Sequence, residues 1–192
     1  MWDLPLRCQC GALRGTVRGV APDTVNHVAC GCRYCQRYVE RLGCASRVLD
    51  EHGVSTIFQV SPASLEITEG LEQLESLFQT SWGARRWFAS CCNSPLANTL
   101  RWRSVPFVGV FRAAADDNAL PVPIEQMLGP RLATCNSTFP EPLASGLLAR
   151  RRDVFRMVLR FFPMFMGWRL RGDHRRWSFD WPELEHRPKL QA

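Results

Sequence analysis

Lysine is almost missing from this chain: a single residue stands against 23 arginines. That skew reflects genome composition more than function. The formal net charge of +6 permits an anionic partner without demanding one. Long apolar stretches are also lacking, and no uncharged run approaches the ~18 residues that a membrane span needs. The opening "MWDLPLRCQCG" has neither the apolar segment nor the small-residue cleavage site of a secretory leader. The expected compartment is therefore the cytoplasm, where thiols stay reduced. There are no internal repeats and no low-complexity tracts. A chain of 192 residues with 46% hydrophobic content can build a core without a disulfide scaffold.

Cysteine, by contrast, is plentiful. Nine cysteines in a reducing compartment point to metal binding or catalysis, and an odd count fits poorly with complete disulfide pairing.

The chain divides near residue 112. Residues 1–112 read as short strands separated by turn signals. "TVNHVAC" (24–30), "STIFQV" (55–60), "RRWFAS" (85–90) and "SVPFVGVF" (104–111) are strand candidates. "SLEITEG" alternates, with Leu65 and Ile67 on one face and Glu66 and Thr68 on the other, and "LESLFQT" (74–80) is its expected hairpin partner. Only "RYCQRYVERLG" (33–43) looks helical here, with Gly43 as its C-terminal stop. The expected fold class is mainly β: an antiparallel sheet sandwich or barrel-like sheet, stapled by zinc, with a C-terminal helical extension over 113–192. Residues 113–142 read as loop and turn. An amphipathic helix is expected from Ala144 to Met166. Leu147, Leu148, Phe155, Val158, Leu159 and Phe162 lie on one side, and Arg152, Arg156 and Arg160 on the other. Pro163 should end or kink it. Trp168, Trp177 and Trp181 follow among arginines.

The cysteine spacings carry the chemistry. Cys32 and Cys35 in "CGCRYC" have the separation of a turn that aims two sulfurs at one ion, and Cys30, two residues earlier, can share their face. Three protein ligands leave one tetrahedral corner open for water or substrate. Cys8 and Cys10 in "CQCG" form a second pair, expected to share one face of a strand at i and i+2. The remaining source of ligands for them is "FASCCNSP", where Cys92 is the first choice and Cys91 the second. Cys44 and Cys135 read as small buried hydrophobes. His27 is within reach of the first cluster along its strand, but reads better as a satisfied histidine than as a ligand.

Taken in order, "CQCGALRGTV", "CGCRYCQRYVERLG", "FQVSPASLEITEGLEQLESL" and "RRWFASCCNSPL" resemble the glutathione-dependent formaldehyde-activating enzyme family, which includes centromere-protein-V-like proteins. The resemblance covers roughly residues 6 to 111. The doubled cysteine and "SPLANT" look like a bacterial branch without an assigned function. It implies a mostly β fold with one or two Zn2+ per chain. Cys30, Cys32 and Cys35 would form a catalytic three-cysteine site, and Cys8, Cys10 and Cys92 would belong to a structural four-cysteine site. The family pattern there is Phe-Cys-x-x-Cys-Gly-Ser, and this chain has Ala89 where the first of those cysteines belongs. The structural zinc must then borrow Cys91, take a water, or be absent.

Family members are carbon–sulfur lyases that join formaldehyde to glutathione, so the resemblance implies a zinc-dependent lyase acting on a small thiol and a small aldehyde. Arg33 and Arg37, beside the cluster, are candidates for holding the thiol substrate's carboxylates, although both also suit a solvated helix face. His27 is the nearest candidate base. The alternative is a non-catalytic binding module in which metal only supports the fold. Residues 150–176 hold nine arginines against Asp153 and Asp173. A basic amphipathic helix of this kind could contact an anionic membrane or nucleic acid. The preferred expectation is that its apolar side packs on the β domain, with no specific nucleic-acid partner.

Overall fold

A computed structural model describes residues 1–80, 83–135 and 151–179. The elements in chain order are β1 (Trp2–Arg7), β2 (Arg14–Val20), β3 (Asn26–Cys30), α1 (Arg33–Arg41), α2 (Ala45–Val48), β4 (Ser55–Val60), β5 (Leu65–Glu69), β6 (Leu74–Phe78), β7 (Arg85–Ala89), β8 (Ser94–Thr99), β9 (Val108–Phe111), α3 (Ile124–Leu128), β10 (Ala133–Cys135) and α4 (Arg151–Leu170). The protein is mainly β. A three-stranded sheet of order β1-β2-β5 faces a seven-stranded sheet of order β10-β3-β4-β9-β8-β7-β6.

The larger sheet is apolar on both faces, so each face needs a cover. One face, with Phe58, Trp87, Ala97 and Val110, meets Leu4, Leu6, Val17 and Leu65 from the smaller sheet, and α3 adds Ile124, Met127 and Leu128. The other face, with Val28, Ile57, Phe88 and Phe111, is covered by α1 through Cys35, Tyr38 and Val39. Alternation along β3 and β4 produces this division. Val28 pairs with Ile57 across the strands on one face, and His27 with Phe58 on the other.

The expected strands form, joined by β1, β2, β8 and the short helix α2, which the sequence does not single out, and there are three further differences. The segments 65–69 and 74–78 are not hairpin partners: β5 pairs with β2 in the small sheet and β6 with β7 in the large one. Gly70 makes this switch. Its φ is +70°, and a Cβ there would meet the Ala12 carbonyl oxygen at 2.0 Å, so glycine alone lets the chain turn away beside the β1–β2 loop. The stretch 113–142, expected as loop, supplies α3 and β10. β10 pairs in parallel with β3, so the large sheet is mixed rather than purely antiparallel. Third, Pro163 does not end the helix, because α4 runs through it to Leu170.

Packing explains how α4 tolerates the proline. Phe161 lies against Phe107 and Trp168, with ring centroids 5.8 and 6.0 Å apart, and Trp168 is buried. Just beyond the helix, buried Asp173 accepts a hydrogen bond from the Ser61 hydroxyl at 2.7 Å and pairs with Arg171 at 3.1 Å. The side chains of residues 151–154 and the whole of 136–150 and 180–192, including Leu147, Leu148 and Trp181, lie outside the described residues.

Trp87 is the largest fully buried side chain. Its indole N–H donates to Thr99 Oγ1 at 3.0 Å, and its ring meets Phe179 at 4.8 Å. Trp87→Ala is therefore expected to cost about 3–5 kcal/mol, measured by denaturant unfolding.

Candidate metal centres

Two turns meet at one edge of the sandwich. Cys8 and Cys10, expected on a strand, lie instead in the β1–β2 turn, because β1 ends at Arg7; the β7–β8 turn carries Cys91 and Cys92. The first turn is fixed by its backbone. Cys8 N–H donates to the Leu13 carbonyl, Gly11 N–H to the Cys8 carbonyl, and Leu13 N–H to Cys8 Sγ at 3.2 Å. The second contains Asn93 at φ +53°, a left-handed position that asparagine tolerates better than most residues. The sulfur of Cys8 lies 3.6 Å from Cys10 and 3.7 Å from Cys91, while Cys10 and Cys91 are 3.3 Å apart. Cys92 lies 3.8 Å from Cys91. All four sulfurs are within 4.8 Å of one another.

The second cluster sits on the opposite side of the large sheet. β3 ends at Cys30, Cys32 caps the start of α1, and Cys35 lies in its first turn. Cys35 Sγ is 3.4 Å from Cys30 Sγ, and the Cys35 N–H donates to Cys32 Sγ at 3.4 Å. These three sulfurs also lie within 4.8 Å of one another.

Both arrangements fit a metal ion. A tetrahedral ion with metal–sulfur bonds of about 2.3 Å spaces its sulfurs about 3.8 Å apart. A disulfide would bring two of them to about 2.05 Å, and the eight cysteines described are all free. Two groups, Cys8–Cys10–Cys91–Cys92 and Cys30–Cys32–Cys35, could thus each hold an ion.

Residues 2–150 match a protein family of unknown function, DUF6151. The chain belongs to that family. No curated protein matches it. Among solved structures, a crystal structure of a Rhodobacter sphaeroides protein is 20% identical over 62% of this chain and 92% of its own, with a TM-score of 0.43.

In this DUF6151 chain the two centres differ in kind. The first has four sulfurs and is largely open, with Cys10 and Cys91 exposed and Cys8 buried. Cys91 and Cys92 both take part, whereas the sequence places Cys92 first. Ala89, which stands where the resembled family has a cysteine, is a buried strand residue of the core. Burial pushes the Cys92 thiol up, but hydrogen bonds from the Ser94 hydroxyl and from Cys10 outweigh it and leave it at about 6. Ser94 also accepts the Gln9 N–H at 3.0 Å, so one hydroxyl ties the two turns together.

The second centre has three sulfurs and one cation. Arg86, only 6% exposed, points its Nη1 at Cys35 Sγ at 3.4 Å. Its guanidinium lies 5.7 Å from the Tyr38 ring, and its Nε has no hydrogen-bond partner. Burial alone would lower its pKa, but the charges of Cys35 and Cys32 raise it further, so it stays cationic. Hydrogen bonds from Cys30 and then Cys35 hold Cys32 well below the ordinary thiol range. The bond to Cys32, then the one to Cys35, keeps Cys30 well above it.

Arg86 is the residue that sequence reasoning missed. Its only signal is an arginine pair opening an otherwise apolar strand. Arg33 and Arg37, singled out in the sequence, are both exposed on the outer side of α1. His27 is not beside the thiols. It lies three residues before Cys30 on a strand and so faces the other way. There its Nδ1 is 2.9 Å from the Gly129 carbonyl, burial lowers its pKa, and it lines a pocket of about 400 Å³ with Thr56, Arg112 and Arg131. Cys44 is buried, with its sulfur 3.5 Å from the Val39 carbonyl, as a small core residue should be. The side chain of Cys135 lies outside the described residues.

Elemental analysis of the purified chain should return two metal equivalents, and Cys10→Ser only one; a count unaffected by Cys10→Ser would remove the four-sulfur group as a centre. Arg86→Met should weaken metal binding at the Cys30 group by about 10–100-fold in a chelator competition and leave the four-sulfur centre unchanged.

Proposed function

We propose that this protein is a zinc-dependent carbon–sulfur lyase acting on a small thiol of the glutathione type and a small aldehyde. The observation that carries the reading is the difference in ligand number. Among the described residues, four sulfurs converge at one centre and only three, with no further histidine, cysteine or carboxylate, at the other. A four-sulfur set closes a tetrahedral ion and suits a structural role; a three-sulfur set leaves a corner open. The cysteine order and spacing that resemble the formaldehyde-activating enzymes support the same assignment of Cys30, Cys32 and Cys35.

A zinc ion held by those three sulfurs would supply Lewis acidity, lowering the pKa of a thiol at the open corner. The remaining work falls to the chain. Cys32 and Cys35 are fixed by the first turn of α1, and Cys30 by the ladder between β3 and β4, so the three sulfurs are set on rigid elements. Arg86 offsets part of the negative charge that three thiolates accumulate in a half-buried site. In the addition, the substrate's S–H bond and the aldehyde's C=O π bond are lost, a C–S bond forms, and the thiol proton ends on the former carbonyl oxygen. The reverse reaction cleaves that C–S bond. Arg33 and Arg37, exposed beside the cluster, are available to the carboxylates of a tripeptide.

A second reading has its own observation. Arg33 and Arg37 are both exposed on α1, whose buried side holds Cys35, Tyr38 and Val39, which suits a binding module whose metal only supports the fold. One assay separates the two. Loss of free formaldehyde and glutathione, followed by NMR, should be accelerated by the wild-type protein and return to the uncatalysed rate with Cys32→Ser. Equal rates for the two proteins would reject the lyase and leave the binding module.

A further inference from the structure

The helix α4 carries two apolar faces, and among the described residues only one of them is covered. The inner face holds Met157, Phe161 and Trp168, which pack on the body of the protein. Arg160 is turned inward with them, donating to the Pro22 carbonyl and, at 3.1 Å, to the Val25 carbonyl. The sequence predicts the reverse orientation, with the arginine row in water and Phe155, Val158, Leu159 and Phe162 against the β domain. These four are instead exposed by 62, 49, 57 and 64%, and Met166 and Leu170 extend the same row by 37 and 82%. At 100° per residue, Phe155, Leu159, Phe162, Met166 and Leu170 fall within one stripe along the helix. Arg156 and Arg169, both exposed, border it on either side.

Charge decides what such a stripe fits. Between Phe155 and Arg176 there are six arginines and one acidic residue, Asp173. That single acid is 3% exposed and bonded to Ser61 and Arg171, so the accessible surface of this stretch is cationic. A second copy of the chain would set one arginine-bordered stripe against another, and like charges would oppose the contact. An anionic lipid surface complements both features at once: apolar side chains enter the headgroup–acyl boundary while arginines meet the phosphates. No helix among the described residues is long and apolar enough to cross a membrane, so the geometry is that of a helix lying in the plane of the surface.

We propose that the outward face of α4 docks on an anionic membrane surface, with Phe155, Leu159, Phe162 and Met166 inserted and Arg156 and Arg169 contacting lipid phosphates. This does not rest on the lyase reading, because the face is remote in chemistry from either cysteine group.

The test is co-sedimentation of the full chain with vesicles of equal parts phosphatidylglycerol and phosphatidylcholine, against vesicles of phosphatidylcholine alone. The partition coefficient should be about tenfold or more higher on the anionic vesicles and should fall as salt is raised. Phe162→Asp should lower it by about tenfold or more with far-ultraviolet circular dichroism unchanged, and Phe155→Ser should act in the same direction. Absence of binding, equal binding to both vesicles, or binding indifferent to both substitutions overturns the proposal. A concentration-dependent dimer in sedimentation velocity that Phe162→Asp dissociates, without lipid binding, gives the face to a second copy instead.

Discussion

The contact between the β1–β2 and β7–β8 turns is the constraint on which the arrangement turns. The two turns belong to different sheets, separated by some eighty residues of chain, and their sulfurs approach within 3.3–3.7 Å. Hydrophobic packing between the sheets is non-directional and could accept small slides of one sheet over the other. Four sulfurs gathered on one ion would not. With Ser94 bridging Gln9 and Cys92, the turns fix the sheets' relative register at one end. Gly70 serves the same end from the other side of the loop, since any larger residue would collide with Ala12 and displace the segment that presents Cys10.

With that edge fixed, the large sheet becomes a platform with two unlike faces. One is closed by the smaller sheet and α3. The other carries α1, and with it the three-sulfur group and the buried Arg86. The guanidinium is placed there at a cost, because a buried cation without a counter-charge is strongly disfavoured. Its proximity to Cys35 makes sense when the sulfurs carry negative charge. The arginine is thus a structural trace of the charge state for which the pocket is built.

Much of this was legible in the residues. The alternation of Leu65 and Ile67, the β-branched run into Cys30 and the spacing of Cys32 and Cys35 report local physics, and local structure follows them. What depends on distant partners was not legible. The sequence places Cys92 before Cys91, because nothing local announces which sulfur of an adjacent pair the β7–β8 turn brings to Cys8 and Cys10. Leu65–Glu69 and Leu74–Phe78 look like a hairpin until Gly70 is seen to meet Ala12. The orientation of α4 was ambiguous for a different reason: with apolar residues on both sides, periodicity offers two solutions, and the aromatic contacts of Phe161 and Trp168 select one.

The parallel pairing of β10 with β3 has a consequence for how the protein is made. The strand that ends in Cys30 waits for a partner roughly a hundred residues downstream, and until Ala133–Cys135 arrives its outer row of amides and carbonyls is bare. A nascent chain therefore presents an adhesive border next to reactive thiols. Only the arrival of Ala133–Cys135 closes that border.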